Sequence, residues 1–287
     1  MTDVALPAPA PTASVDRERL TAFGFALPSF LILASLFALP LVLLLGVSVI
    51  GPDGLTFVNY RRLFGTAFYL GVIWNSLRLG VLTTLITLAI SYPASFALAR
   101  ARGAVRSVLL ATLFLPLAAS VIVKAFAWTI LLRSDGVVNA TLIALGIIED
   151  PIRMIFTETA LVVGAVNIFL PFMILPIYAV VAQLDPRYAE AAATLGASPV
   201  TAFCRVIVPL TLPGVIAGVA LVFSLSVSAY VVPTLLIGEK YPTLATAIAK
   251  AYLLAREPGF GAAAGVVLLT IAIIVVALSA RLGREPA

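Results

Sequence analysis

The sequence predicts an all-α polytopic membrane protein crossed by six transmembrane helices. Only 11% of its 287 residues are charged, against roughly 25% in a soluble domain, and its mean hydropathy is +1.15. Its apolar residues also gather into six runs, each at least as long as the roughly 20 residues a helix needs to cross the hydrocarbon.

In chain order, residues 1–20, with their repeated Pro and Ala in LPAPAPTA, read as a disordered cytoplasmic tail. The first run, Ala22 to Ile50, follows Arg17 and Arg19 as a signal peptide would, but it is longer than the 7–15-residue apolar core of such a peptide and no cleavage site follows. It therefore counts as a span, and with its outer loop it fills residues 21–69. The second span is Val72 to Leu98, the third Val105 to Leu132, the fourth Thr159 to Val181, the fifth Pro213 to Ile237 and the sixth Gly261 to Leu282, leaving a short tail at 283–287. Pro40, Pro93, Pro116, Pro171, Pro176 and Pro233 interrupt these runs and predict kinks, because each removes a backbone N–H.

Orientation follows from the basic residues. The tight turn ARARGAVR between the second and third spans carries Arg100, Arg102 and Arg106, and short basic loops stay in the cytoplasm. Both termini and the segment between the fourth and fifth spans then lie on the cytoplasmic side. The net charge of +5 is dispersed near the ends of apolar runs, which excludes a nucleic-acid face. The chain has no His and one Cys, so no disulfide or multi-ligand thiolate site forms within it, and Cys204 reads as a small packing residue. No His base, thiol pair or clustered carboxylate lies within the spans, which argues against a membrane enzyme. None of Lys124, Lys240 and Lys250 follows a Gly, so the chain lacks the GxxxxGK[ST] phosphate loop.

Residues 184–210, LDPRYAEAAATLGASPVTAFCRVIVPL, stand apart from the apolar runs. Asp185 can cap a helix whose first residue is Pro186, where a missing N–H costs nothing. The Ala-rich stretch RYAEAAATL continues that helix, and Gly196 can end it in the left-handed conformation. Ser198-Pro199 repeats the start signal, and VTAFCRVIV runs to Pro209, with a further break expected at Pro213-Gly214. The spacing predicts a compact helix-turn-helix on the cytoplasmic side.

Glu190-Ala191-Ala192, three residues, Gly196, nine residues, then Val206-Ile207-Val208-Pro209 resembles the EAA signature of the inner-membrane permeases of ABC importers. Val206 and Val208 replace the usual Ile and Leu. The resemblance extends over about 70–282, starting at Asn75-Ser76-Leu77, and implies the type I ABC importer permease fold in the bacterial inner membrane. It implies that Glu190, Ala191, Ala192, Gly196, Ala197, Ser198 and Pro199 form a coupling helix seated in a groove of a separate ABC ATPase subunit. Small residues there would allow close backbone approach, and Glu190 would supply one charged group. The ATPase subunit would bind ATP and Mg, leaving this chain without a cofactor. The remaining implied partners are a second permease subunit in a heterodimer, an extracytoplasmic solute-binding protein and membrane lipid, with no nucleic acid.

FLPFMILPIYAV at 169–180 and SLSVSAYVVPTLLIG at 224–238 are similar to permeases for spermidine and putrescine, which makes polyamine the expected solute, with other small solutes as the alternative. An ATP-independent secondary transporter would also have six spans but would not need the coupling segment. Ala220, Ser224 and Ser228 recur at i, i+4, i+8 and, with Tyr230, are candidates for the translocation wall, although small-residue faces also serve helix contacts, as Gly214-xxx-Gly218 and Gly261-xxx-Gly265 do. Asn167 in the fourth span suits an interhelical hydrogen bond or a substrate contact. Lys124 falls about 12 Å from the outer end of the third span by helical rise, and either snorkels or faces a watery pathway. Arg78, near the outer end of the second span, is expected to snorkel. The outer-loop carboxylates Asp135, Glu149, Asp150, Glu158, Glu239 and Glu257 read as solvated loop residues.

Overall fold

The computed structural model describes residues 13–51 and 54–282. The expected tail at 283–287 and residues 1–12 of the expected N-terminal tail lie outside them. Helix α1 spans Ala13–Val49, so residues 13–20, expected as tail, belong to the helix that carries the first span. A two-stranded antiparallel ladder, Ile50–Gly51 with Gly54–Leu55, follows it. The chain continues through α2 (Val58–Gly65), α3 (Ala67–Arg100), α4 (Gly103–Ala118), α5 (Val121–Leu131), α6 (Val137–Ala144), α7 (Glu158–Val181), α8 (Arg187–Thr194) and α9 (Pro199–Ala202). After a π-helical turn, Phe203–Ile207, come α10 (Val208–Val227), α11 (Val231–Leu236), α12 (Leu244–Lys250) and α13 (Pro258–Leu282). Among the described residues five helices are long and apolar enough to cross a membrane, and a bent pair makes a sixth.

Helices α3, α7 and α10 pack on one another as the heart of the molecule. Leu79, Leu161, Ile168, Met173, Ile177 and Val222 are almost wholly buried there. In lipid no hydrophobic drive separates helix faces from acyl chains, so close packing and small residues hold such a bundle. The two glycines of Gly214-xxx-Gly218 serve that purpose: a Cβ on Gly214 would lie 2.8 Å from the Pro176 carbonyl oxygen, and one on Gly218 would lie 2.7 Å from Met173 Sδ. Helix α13 packs on α10 and α12, and α1 packs on α13, where Gly265 faces Leu44. A polar strap holds the same edge: Arg62 of α2 pairs with Glu257 at 2.7 Å and lies over the Phe260 ring at 4.7 Å.

Two spans differ from expectation. The third is not one helix: α4 and α5 meet at 102°. Pro116 removes a hydrogen bond in the last turn of α4, Ala119 is extended, and Ser120 opens α5 by accepting from the Ile122 N–H at 3.3 Å. Hydropathy continues through this break, and the kink expected at Pro116 marks its place, though it is a full break of the span and not a bend within one helix. The fifth span was expected to start at Pro213 after a stop at Pro209. Instead one helical segment runs from Pro199 to Val227, stops at Ser228, and leaves α11 as a separate short helix. The π turn explains the continuity. The Val208 N–H donates to the Phe203 carbonyl one residue further back than in an α-helix, and Pro209 falls in the first turn of α10, where its missing N–H is tolerated.

Candidate functional site

The hairpin at residues 184–210 is built by the capping chemistry its sequence carries. Asp185 Oδ1 accepts from the Arg187 N–H at 2.9 Å, and α8 follows as the expected Ala-rich helix, its first residue assigned to Arg187. Gly196 has φ +79°, and the N–H groups of Gly196 and Ala197 close the helix end on the carbonyls of Ala193 and Ala192 at 2.9 and 3.0 Å. Ser198 Oγ then accepts from the Thr201 N–H at 3.2 Å, with Pro199 at the first helical position.

Within this knob the expected residues separate into two groups. Glu190, Ala191, Gly196, Ser198 and Pro199 are exposed and Ala197 is half-buried, whereas Ala192 is buried. Ala192 packs inside the hairpin, as Ala202 does, so its small size lets α8 lie against the helix that follows. Of the seven expected residues it is the one whose side chain is turned inward. Glu190 makes no hydrogen bond or ion pair with the described residues. Sequence reasoning missed the apolar part of the knob: Tyr188, Leu195 and Val200 are 50%, 87% and 72% exposed. A Leu beside the turn glycine of a polar hairpin was the available signal. Cys204 is exposed, not a packing residue.

At its root the hairpin adjoins the end of α3. Phe203 of the π turn stands beside Tyr92 and Phe96, with ring centroids 6.2 and 6.0 Å away. The Tyr92 hydroxyl shares a hydrogen bond of 2.9 Å with Thr211 Oγ1. A cavity of about 700 Å³ lies behind this contact, lined by Phe96, Arg100, Arg102, Asp185 and Phe203.

The expected pathway residues are spread over α5, α7, the last turn of α10 and the break between α10 and α11. Ser228 Oγ donates to the Ser224 carbonyl at 2.8 Å, and Ser228 and Tyr230 are exposed beyond the end of α10. Asn167 is exposed on α7 and accepts from Trp128 Nε1 at 3.1 Å, joining α5 to α7. Lys124 is half-buried in the first turns of α5. Lys124 and the outer end of the third span, Leu132, both lie beyond the bend, on α5 and its C-cap. No hydrogen bond among the described residues joins these five side chains to one another.

A second polar feature was not anticipated. Thr83, Thr84, Thr87 and Ser91 on α3 and Ser224 and Ser226 on α10 hold buried hydroxyls without a hydrogen-bond partner among the described residues. The signal was a run of hydroxyl residues at helical spacing. Such hydroxyls each cost about 1–3 kcal/mol unless something answers them.

At the end of the bundle opposite the hairpin, Arg78 Nε pairs with Glu158 Oε1 at 2.9 Å, so Arg78 is engaged where it was expected to snorkel. Tyr241 donates toward the same Oε1 and toward the Asn75 carbonyl, each at 3.3 Å. Burial and the adjacent carboxylate push its phenol up to about 12.

A bundle of apolar spans with a capped, exposed hairpin between two packed spans defines a polytopic membrane protein with a polar segment outside its spans. Comparison gives the family. Residues 138–285 match the model for the binding-protein-dependent transport system inner membrane component, and the chain belongs to that family. It is a multi-pass inner-membrane permease, not an enzyme.

Among its relatives, the spermidine/putrescine transport system permease protein PotB of Haemophilus influenzae is 37% identical over 79% of this chain and 82% of its own. PotB of Escherichia coli is 36% identical over 80% and 86%. The putative 2-aminoethylphosphonate transport system permease protein PhnU of Salmonella typhimurium is 28% identical over 73% and 74%. The fold is shared with a solved bacterial ABC transporter involved in the import of the acidic polysaccharide alginate, at TM-score 0.77 and 19% identity, covering 95% of this chain and 98% of that one. Another structure of that kind, in complex with a pentasaccharide-bound periplasmic protein, has TM-score 0.71 at 19% identity, covering 95% and 96%.

Proposed function

We propose that this chain is one of two permease subunits of a polyamine importer, and that the hairpin at residues 184–210 couples it to a separate ATPase. The observation that carries the polyamine reading is the 37% identity to a spermidine/putrescine permease over most of both chains. The coupling reading is supported by the hairpin's build. Exposed Glu190, Tyr188, Leu195 and Val200 offer one charge and an apolar knob, which is the composition of a small interface core with a polar rim.

In this reading the hairpin end is cytoplasmic and both termini lie on that side. Glu190, Ala191, Gly196, Ala197, Ser198 and Pro199 meet the ATPase, while Ala192 braces α8 from within. ATP and Mg bind the partner, since this chain has no phosphate loop. Closure of two ATPase subunits draws their grooves together and pulls on α8. Because the helix that leaves the hairpin runs unbroken into α10, and α10 packs on both α3 and α7, a displacement of the knob reaches the core as a rigid-body movement. A second permease completes the pathway, with Ser224, Ser228, Tyr230, Asn167 and Lys124 as its candidate wall, and an extracytoplasmic binding protein delivers the solute.

The test is uptake by the complete complex in proteoliposomes, supplied with the receptor whose gene accompanies this one. Spermidine uptake that requires both receptor and ATP supports the proposal. Uptake by this chain without ATP would make it a secondary transporter. A receptor that binds another solute and delivers that instead would overturn the polyamine reading alone.

A further inference from the structure

Where does a cation first meet the permease at the end opposite the hairpin? The geometry points to Glu158 as an ammonium-accepting carboxylate for which Arg78 is a built-in stand-in, and this rests on the polyamine reading above.

Three of the outer carboxylates pair at the surface: Asp135 with Arg133, Glu239 with Lys250 and Glu257 with Arg62, at side-chain exposures of 73%, 84% and 44%. Glu158 is 28% exposed. It is the first residue of α7 and faces α3, which supplies Arg78, and the link between α11 and α12, which supplies Tyr241. Placement against the packed helices, not in a free loop, sets it apart.

Its satisfaction is incomplete in a particular way. The Arg78 and Tyr241 contacts both fall on Oε1, and no hydrogen bond or ion pair from the described residues reaches Oε2. Arg78 engages through Nε alone and is itself 49% exposed, so it lacks the bidentate geometry that makes an Arg–carboxylate pair strong. A half-exposed pair of this kind contributes little, on the order of 1 kcal/mol or less.

The surroundings suit an ammonium group. Glu158 Oε1, the Asn75 carbonyl oxygen and the Tyr241 hydroxyl oxygen converge within 3.3 Å contacts. The Tyr241 phenol has one proton to offer two acceptors. An alkylammonium brings three N–H donors, one for each of these oxygens. Ammonium binding would require Arg78 to swing toward solvent, which its exposure permits. No bond is made or broken, and positive charge is exchanged for positive charge.

Charge exchange predicts effects of opposite sign at the two partners, which a merely structural clasp does not. Spermidine uptake is measured in proteoliposomes holding the complete complex, with saturating ATP and a titration of spermidine-loaded receptor. Glu158→Gln should lower uptake about tenfold, the cost of one charged contact of about 1.4 kcal/mol, while ATPase activity without receptor stays unchanged. Arg78→Gln should leave uptake at or above wild type, because the competing cation is gone, and Glu158→Asp should recover part of the loss. Equal losses in Glu158→Gln and Arg78→Gln would show that the pair only holds α3 to α7 and would overturn the inference. So would wild-type uptake in Glu158→Gln. Wild-type complex that moves no spermidine with a spermidine-binding receptor would instead defeat the polyamine reading, a separate outcome.

Discussion

Gly196 is the residue on which the hairpin turns. Its φ of +79° is left-handed, yet a Cβ there would meet nothing within 4 Å, so backbone strain and not crowding decides what it tolerates. Gly196→Ala should destabilise the hairpin by about 1–2 kcal/mol and Gly196→Asn by less, since Asn visits that region more readily. ATPase stimulation by loaded receptor should follow the order Gly, Asn, Ala. Ser198→Ala removes the acceptor for the Thr201 N–H and should cost about 1 kcal/mol in the same element, with a smaller functional effect than Glu190→Lys. The latter reverses an exposed charge in the first turn of α8 at a cost of about 1 kcal/mol or less to that helix, and should leave membrane insertion intact while uncoupling uptake from hydrolysis. At the opposite end, Tyr241 keeps its proton throughout the ordinary pH range. Because its phenol is raised in the folded protein, any stability it lends is fully present below its ordinary pKa of about 10 and is lost only as pH rises through about 12. The ratio of Tyr241→Phe uptake to wild-type uptake should therefore be flat between about pH 6 and 9, and a step in that range would contradict the assignment.

The helices divide into those legible from sequence and those that were not, for a physical reason. Caps are local: Asp185-Pro186, Gly196 and Ser198-Pro199 announce the hairpin because each satisfies backbone groups within a few residues of itself. Hydropathy averages over a window, so the 102° bend after α4 left no mark in it, and Pro116, the local signal, predicted a kink without its size. Proline was over-read at Pro209, which follows the wide hydrogen bonds of Phe203–Ile207 in the first turn of α10, and at Pro213, which α10 carries in its interior. That continuity matters more than any single cap. With Val206 and Ile207 both changed to Gly the rod should soften just above the knob, because each Gly costs a helix interior roughly 1 kcal/mol. The predicted signature is ATP hydrolysis that persists while uptake falls. Loss of both together would mean that the hairpin itself had unfolded. Gly218→Leu tests the other end of the same rod. It drives a side chain toward Met173 Sδ, and overpacking there should lower stability in detergent by about 1–3 kcal/mol, read as a lower midpoint of thermal unfolding.

In the molecule as a whole, the six apolar runs and the small-residue faces were legible because bilayer thickness and close helix approach act directly on composition. Pairings between distant residues were not legible. Arg78 was expected to snorkel and Glu158 to be a solvated loop carboxylate, and only the packing of α3 beside α7 brings them together. The buried hydroxyls of α3 and α10 are a further whole-bundle feature, since no hydrogen-bond partner among the described residues answers them. Coupling requires the hairpin to be the part of this chain that a motor protein holds. The chain's single Cys, Cys204, is exposed, so the probe should be placed on a Cys204→Ser background, with Cys introduced at Leu195, at the tip of the knob. Disulfide or short-reagent cross-linking in native membranes should then yield one adduct with the ATPase subunit, its yield changing with bound ATP. An adduct absent at Leu195 but present from Cys on the exposed face of α2 would contradict the account.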